Sequence, residues 1–255
     1  MRVYKAFLKK EFMEMARSGK LVASGIIFIL FGIMNPAIAK LTPALMKMVS
    51  ESMEDMGISF ENVAVNDLTS WTQFYKNVPM ALIIFLVMFS GIVTTEYQKG
   101  TIVPMLTKGI SPVTVFLSKY TAVLLTWTMG YGLTFCITYF YNEYFWGNSS
   151  ENIVYTAVCS YVLGIFLLSL MMLMSVICEG NTSVIVAVAV IFFVIYMLSI
   201  IPDVKDYLPT KLMNSNELMV GKSASSDYTV SMVITITISV ICAVASSILI
   251  RRKAV

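Results

Sequence analysis

Six stretches of the 255-residue chain carry no charged side chain for 19 to 27 residues, and no other uncharged run exceeds ten. They are residues 21–39, 77–95, 120–142, 152–178, 180–202 and 228–250. At the helical rise per residue, each can cross a hydrocarbon core of about 30 Å as one helix. The expected fold class is an all-α polytopic membrane protein with six transmembrane helices. The longest segment between spans, residues 40–76, is too short to build a separate soluble domain. The chain therefore divides into an N-terminal segment, residues 1–20, and one transmembrane domain, residues 21–255.

Orientation follows from the basic residues. With the N-terminus in the cytoplasm, the cytoplasmic segments hold 12 of the 18 Lys and Arg, as the positive-inside rule favours. A multi-pass protein of the cell membrane with both termini cytoplasmic is expected. The basic start, the apolar run from Leu21 to Met34 and the triplet Ala37-Ile38-Ala39 imitate a cleavable signal. However, the 20 leading residues contain Glu11 and Glu14 and have a helical pattern of their own, so the first span is expected to stay. In that segment Tyr4, Leu8, Phe12 and Met15 form one stripe, with Lys5, Lys9, Lys10 and Glu14 on other faces. This predicts an amphipathic helix at the membrane interface.

Asn35-Pro36 predicts a kink or stop of the first span. A helical pattern follows in the segment 40–76, and then a polar stretch from Asn66 to Gln73. Met46, Met48, Met53 and Met56 form either one face of a short outer helix or an adaptable surface for amphipathic substrates. Between the second and third spans, residues 96–119 are punctuated by Gly100, Pro104, Gly109 and Pro112, which predicts two short helices, Thr101 to Thr107 and Ser111 to Lys119. Cys178 to Thr182 predicts a tight helical hairpin. The segment 203–227 predicts one or two short helices and a loop. Ser239, Ala243 and Ser247, like Ser160 and Gly164, predict close helix packing. Cys136, Cys159, Cys178 and Cys242 show neither disulfide nor zinc spacing and read as small buried apolar residues.

Histidine is absent, which excludes Ser-His-Asp and Cys-His catalysis, and no span holds a pair of carboxylates. The chain is not expected to be an enzyme, to bind a metal or cofactor, or to bind nucleic acid. Gly221-Lys222-Ser223 imitates the end of a phosphate-binding loop, but Asn216 stands where its first Gly belongs. The spans also lack an ionisable relay at depth, which disfavours proton antiport. An exporter of this composition draws its energy from elsewhere.

Glu96-Tyr97-Gln98-Lys99-Gly100-Thr101, then Leu106, Ile110-Ser111 and Phe116-Leu117-Ser118-Lys119, resembles the E-x-x-x-G-T signature and following helix of ABC-2 type permease subunits. Lys9-Lys10-Glu11-Phe12, the Phe31-Gly32 to Pro36 region with Pro43, and Gln73 to Asn77 are similar to small Gram-positive members. Pro112 departs from the pattern. The resemblance implies a type V exporter-like permease fold with a second permease copy or a paralogue beside it. It also implies a separate ATP-binding cassette ATPase subunit that holds ATP and Mg. Residues implied in coupling are Glu96, Gly100, Thr101, Leu106 and Lys108. The connecting helix of such permeases would map to Val3–Lys20, with Tyr4, Leu8, Lys9, Glu11 and Phe12, and outer re-entrant elements to residues 203–227. The cargo implied is hydrophobic or amphipathic, such as a peptide toxin or antimicrobial peptide. Two other classes stay open: a non-transport membrane scaffold or immunity protein, and an ion-coupled secondary transporter.

Overall fold

The structure, a computed structural model, describes residues 2–54, 66–101 and 109–253. The elements are α1 (Arg2–Arg17), α2 (Lys20–Glu54), α3 (Asp67–Phe89), α4 (Gly91–Gln98), α5 (Pro112–Phe145), α6 (Ile153–Ile177) and α7 (Asn181–Leu198), then α8 (Pro202–Lys205), a 3-10 segment (Pro209–Leu218) and α9 (Ser226–Lys253). No strand occurs among the described residues. Among the described residues, six helices are long and apolar enough to cross a membrane: α2, α3 continued by α4, α5, α6, α7 and α9. The amphipathic helix and the Cys178–Thr182 hairpin are found where the sequence places them.

Three expected boundaries need correction. The first span does not stop at Asn35-Pro36, because α2 runs on through Pro36 and Pro43 to Glu54. A proline removes the amide that would bond four residues back, here to Gly32. That carbonyl accepts instead from Thr138 Oγ1 of α5 at 3.2 Å, so the helix passes the proline with its backbone satisfied. The polar stretch from Asn66 to Gln73 is helical. Asn66 caps α3 by accepting from the Thr69 amide at 3.2 Å, and Asp67 accepts from the Ser150 amide at 2.8 Å and from the Ser149 and Ser150 hydroxyls. Finally, Ser111 to Lys119 is no separate piece but the start of α5, with Pro112 in the first turn, where its missing amide costs nothing.

The core is aromatic. Trp127 of α5 meets Phe28 of α2 and Phe85 of α3 at centroid distances of 5.7 and 5.6 Å. These rings need glycine opposite them: a Cβ on Gly130 would overlap Phe28, and one on Gly164 would overlap the Trp127 ring. Across the bundle, α9 lies along α6 and buries Ser231, Thr235, Ser239, Cys242 and Ser246. Thr235, Ser239 and Ser246 return their hydroxyls to their own helix four residues back, so this close-packed face carries no unmet donor there. Cys159 and Cys242 are buried as expected, whereas Cys136 is exposed; all four cysteines are free.

Gly164→Val should lower the thermal unfolding midpoint in detergent, with an overpacking cost of about 1–3 kcal/mol. Gly132→Ala, with nothing within 4 Å of the added carbon, should leave it unchanged or raised. Circular dichroism melts of both variants test the assignment of Gly164 as a contact glycine.

Candidate functional site: a buried ion cluster at the end of α4

The described residues of the Glu96 to Thr101 motif are a helix end of defined geometry. Gly100 takes the left-handed conformation at φ +66° after the last turn of α4. Its amide donates to the Tyr97 carbonyl at 3.1 Å, and the Thr101 amide reaches back to the Glu96 carbonyl at 3.1 Å. These two bonds form a Schellman cap, which explains why a glycine stands four residues after the glutamate. The Thr101 hydroxyl adds a bond to the same Glu96 carbonyl at 3.3 Å.

The Glu96 side chain, 10% exposed, points into a contact between α1, α4 and α5. Lys119 of α5 lies 2.8 Å from Glu96 Oε1 and 2.8 Å from Glu11 Oε2 of α1. The Lys119 and Glu11 side chains are each 2% exposed. Lys10 closes the set at 3.2 Å from Glu96, 3.4 Å from Glu11 and 3.3 Å from Glu14. Oxygens of Glu11, Glu14 and Glu96 lie within 4.8 Å of one another, the spacing of a cation site. Here the ammonium groups of Lys10 and Lys119 stand among them, so the protein supplies its own counter-charges. Burial lowers the affinity of Lys10 for its proton, but the Glu96 and Glu11 carboxylates outweigh it and hold the group above its ordinary 10.5. Its stabilising effect is thus complete below pH 10.5 and fades only as the medium becomes more alkaline than the raised value.

Other expected residues divide. Tyr4 donates to Thr121 Oγ1 at 2.7 Å, Leu8 and Phe12 pack on the core, and Lys9 is exposed. Met48 is exposed on α2. Leu106, Lys108 and Met56, the expected helix at Thr101 to Thr107 beyond Thr101 itself, and the side chains of Met46 and Met53 lie outside the described residues. A carboxylate at the inner end of a helix is expected to seek a Lys or Arg on the N-terminal helix or on the partner, and Lys10 is such a residue, whereas Lys119 was missed. The signal was available: Lys119 falls in the helical series Val115, Phe116, Ala122, Val123 and Thr126, all buried, where a charge needs partners.

The opposite side of α4 holds the α6–α7 hairpin, and this contact was a second feature missed. Thr94 donates to Asn181 Oδ1, and Gln98 Nε2 donates to the Glu179 carbonyl at 2.8 Å. Beyond this hairpin, α7 diverges from α3. The two helices and α6 enclose an apolar groove of about 620 Å³, walled by Leu82, Leu86, Leu167, Met171, Val188 and Phe192.

A family model described as "Protein of unknown function (DUF2705)" matches residues 26–255, and the chain belongs to that family. No match is found among curated proteins.

Lys119→Met should destabilise the protein by about 3–5 kcal/mol, because it leaves two buried carboxylates short of a cation. Adding Glu11→Leu and Glu96→Leu should recover most of that loss, since Lys10 can turn to Glu14 and water. Denaturant titration of the single and triple variants checks this. Equal losses would mean that the three charges do not depend on one another.

Proposed function

We propose that this DUF2705 member is the membrane-spanning permease subunit of an exporter driven by ATP hydrolysis on a separate subunit. One observation carries the reading. The motif that resembles the ABC-2 signature, Glu96 to Thr101, ends a helix whose one side is fixed by buried ion pairs and whose other side holds a helical hairpin. Such an element can pass a push on residues 99–111 to the bundle as a displacement, because a buried ion cluster resists deformation whereas a solvated loop absorbs it.

The partner would be an ATP-binding cassette ATPase subunit holding ATP and Mg, docked below residues 99–111, and a second permease copy or paralogue would complete the transporter. This chain would contribute no catalytic group. The direction is export, from the cell membrane outward, with both termini cytoplasmic. The groove between α3, α6 and α7 supports a hydrophobic or amphipathic cargo, with a peptide toxin or antimicrobial peptide as the first class to assay. In this reading α7 is the moving wall: its first residue is held by α4, while much of its apolar surface stays exposed.

The test is a reconstituted complex with the co-purifying ATPase. Gly100→Val has open space around it but strains the left-handed turn, at about 1–2 kcal/mol. It should cut cargo-stimulated ATP hydrolysis about fivefold or more while leaving assembly intact, and Glu96→Gln should act alike. Unchanged stimulation in both variants rejects α4 as the coupling element. Cargo movement by the purified chain without an ATPase rejects the permease reading as a whole.

A further inference from the structure

The two faces of α1 are sorted by charge. Toward the bundle lie Tyr4, Leu8, Glu11, Phe12 and Met15. Both carboxylates of α1 are taken, Glu11 by Lys119 and Glu14 by Lys10. Away from the bundle stand Arg2, Lys5, Lys9 and Arg17, all exposed, and none of them forms an ion pair among the described residues. Arg2, Lys5 and Lys9 follow three- and four-residue spacing and so make one row, with exposed Val3 and Met13 beside it. The outward face is therefore a strip of cations carrying no counter-charge of its own.

The height of this strip selects its partner. Tyr4 bonds Thr121, and Met15 lies against Thr126, nine and fourteen residues into α5. Lys119, seven residues into α5, also pairs with Glu11 of α1, so the start of α5 extends about 10 Å beyond that contact, and residues 99–111 connect to that projecting end. The uncharged stretch of α5 begins at Tyr120, level with α1, which marks the boundary of the hydrocarbon core. A helix at that boundary with its apolar side against protein presents its other side to the headgroup layer. A protein partner seated on the projecting tip meets α5 first, with α1 recessed behind it.

We propose that the outward face of α1, through Arg2, Lys5, Lys9 and Arg17, is a binding surface for the anionic headgroups of acidic phospholipids. The phosphate of such a lipid supplies the charge that the strip lacks. Val3 and Met13 rest in the interface between headgroup and chain. Glu11 is buried against Lys119, and the exposed Glu14 has Lys10 at 3.3 Å, so neither carboxylate of α1 stands unpaired beside the strip. The ion cluster also fixes the rotation of α1, which keeps the four cations outward.

The purified chain alone, without nucleotide or ATPase, is titrated in neutral detergent with phosphatidylglycerol or with phosphatidylcholine, and apparent affinity is read from the shift in thermal midpoint. Phosphatidylglycerol should bind more tightly, and the preference should disappear at high salt. Each basic residue removed should weaken that binding about fivefold, so Lys5→Gln with Lys9→Gln should cost about 25-fold. Lys222→Gln, exposed in the loop between the 3-10 segment and α9, should change nothing. Equal affinity of the wild type for both lipids overturns the proposal, as does wild-type phosphatidylglycerol binding by the double variant. If the double variant keeps its lipid and instead loses capture of the ATPase, the face belongs to the protein partner and the proposal is equally overturned. The lipid readout does not depend on transport, so its failure and the failure of the permease reading are told apart.

Discussion

A lysine side chain that is only 2% exposed needs partners in place of its water, and Lys119 has two carboxylates at 2.8 Å. Those carboxylates come from residues 11 and 96, so one buried cation joins three elements far apart in sequence. It also sets where α1 lies and where α4 ends. The favourable attraction between these charges roughly offsets their desolvation, so the cluster contributes a unique geometry more than net stability. Removing one member is another matter, because the survivors stay buried without the charge that balanced them.

The same requirement to satisfy polar groups in a low-dielectric interior shapes the rest of the bundle. Asn77 donates to Asn35 at 2.7 Å, Asn35 donates to Thr138 at 3.1 Å, and the Thr138 hydroxyl serves the carbonyl that Pro36 leaves open. Three helices are thereby held in register at one depth. On α9 the hydroxyls of Thr235, Ser239 and Ser246 are consumed within the helix, which leaves that face smooth enough to lie along α6. Polar residues thus specify positions between α2, α3 and α5, and permit close approach between α6 and α9.

The spans were legible because the cost of charge in hydrocarbon leaves long uncharged runs that no other constraint imitates. Their ends were less so. Asn35-Pro36 reads as a stop in one dimension, and only the neighbouring Thr138 converts it into a position the helix can pass. Asp67 to Gln73 falls outside the uncharged run, and its place in α3 depends on Asp67 and Trp71 meeting residues 148–150, about 80 positions away. Within the site, Glu96 was readable as a carboxylate in need of a cation, and Gly100 only as a break between helical pieces. Lys119 was visible as a residue yet not as a partner, since its role depends on the crossing of α1 over α5, which no local pattern encodes. The apolar groove was likewise invisible: it arises from the divergence of α7, and α7 has the composition of any span.

That divergence has a physical basis in how α7 is held. The helix packs on α6, touches α4 and the 3-10 segment at its ends, and leaves Val186, Val190 and Phe193 exposed. An apolar face that meets lipid loses little by remaining open, because hydrocarbon tails replace the contacts that another helix would make. Moving such a helix therefore costs less than moving one of the aromatic core, where Trp127, Phe28 and Phe85 interlock. The stiff element and the compliant one meet at Asn181, where α4 holds the first residue of α7. In the proposed cycle, a displacement applied at the Glu96 cap finds its least resistance through that contact. The groove is then the part of the bundle that changes shape, while the core around Trp127 keeps its packing.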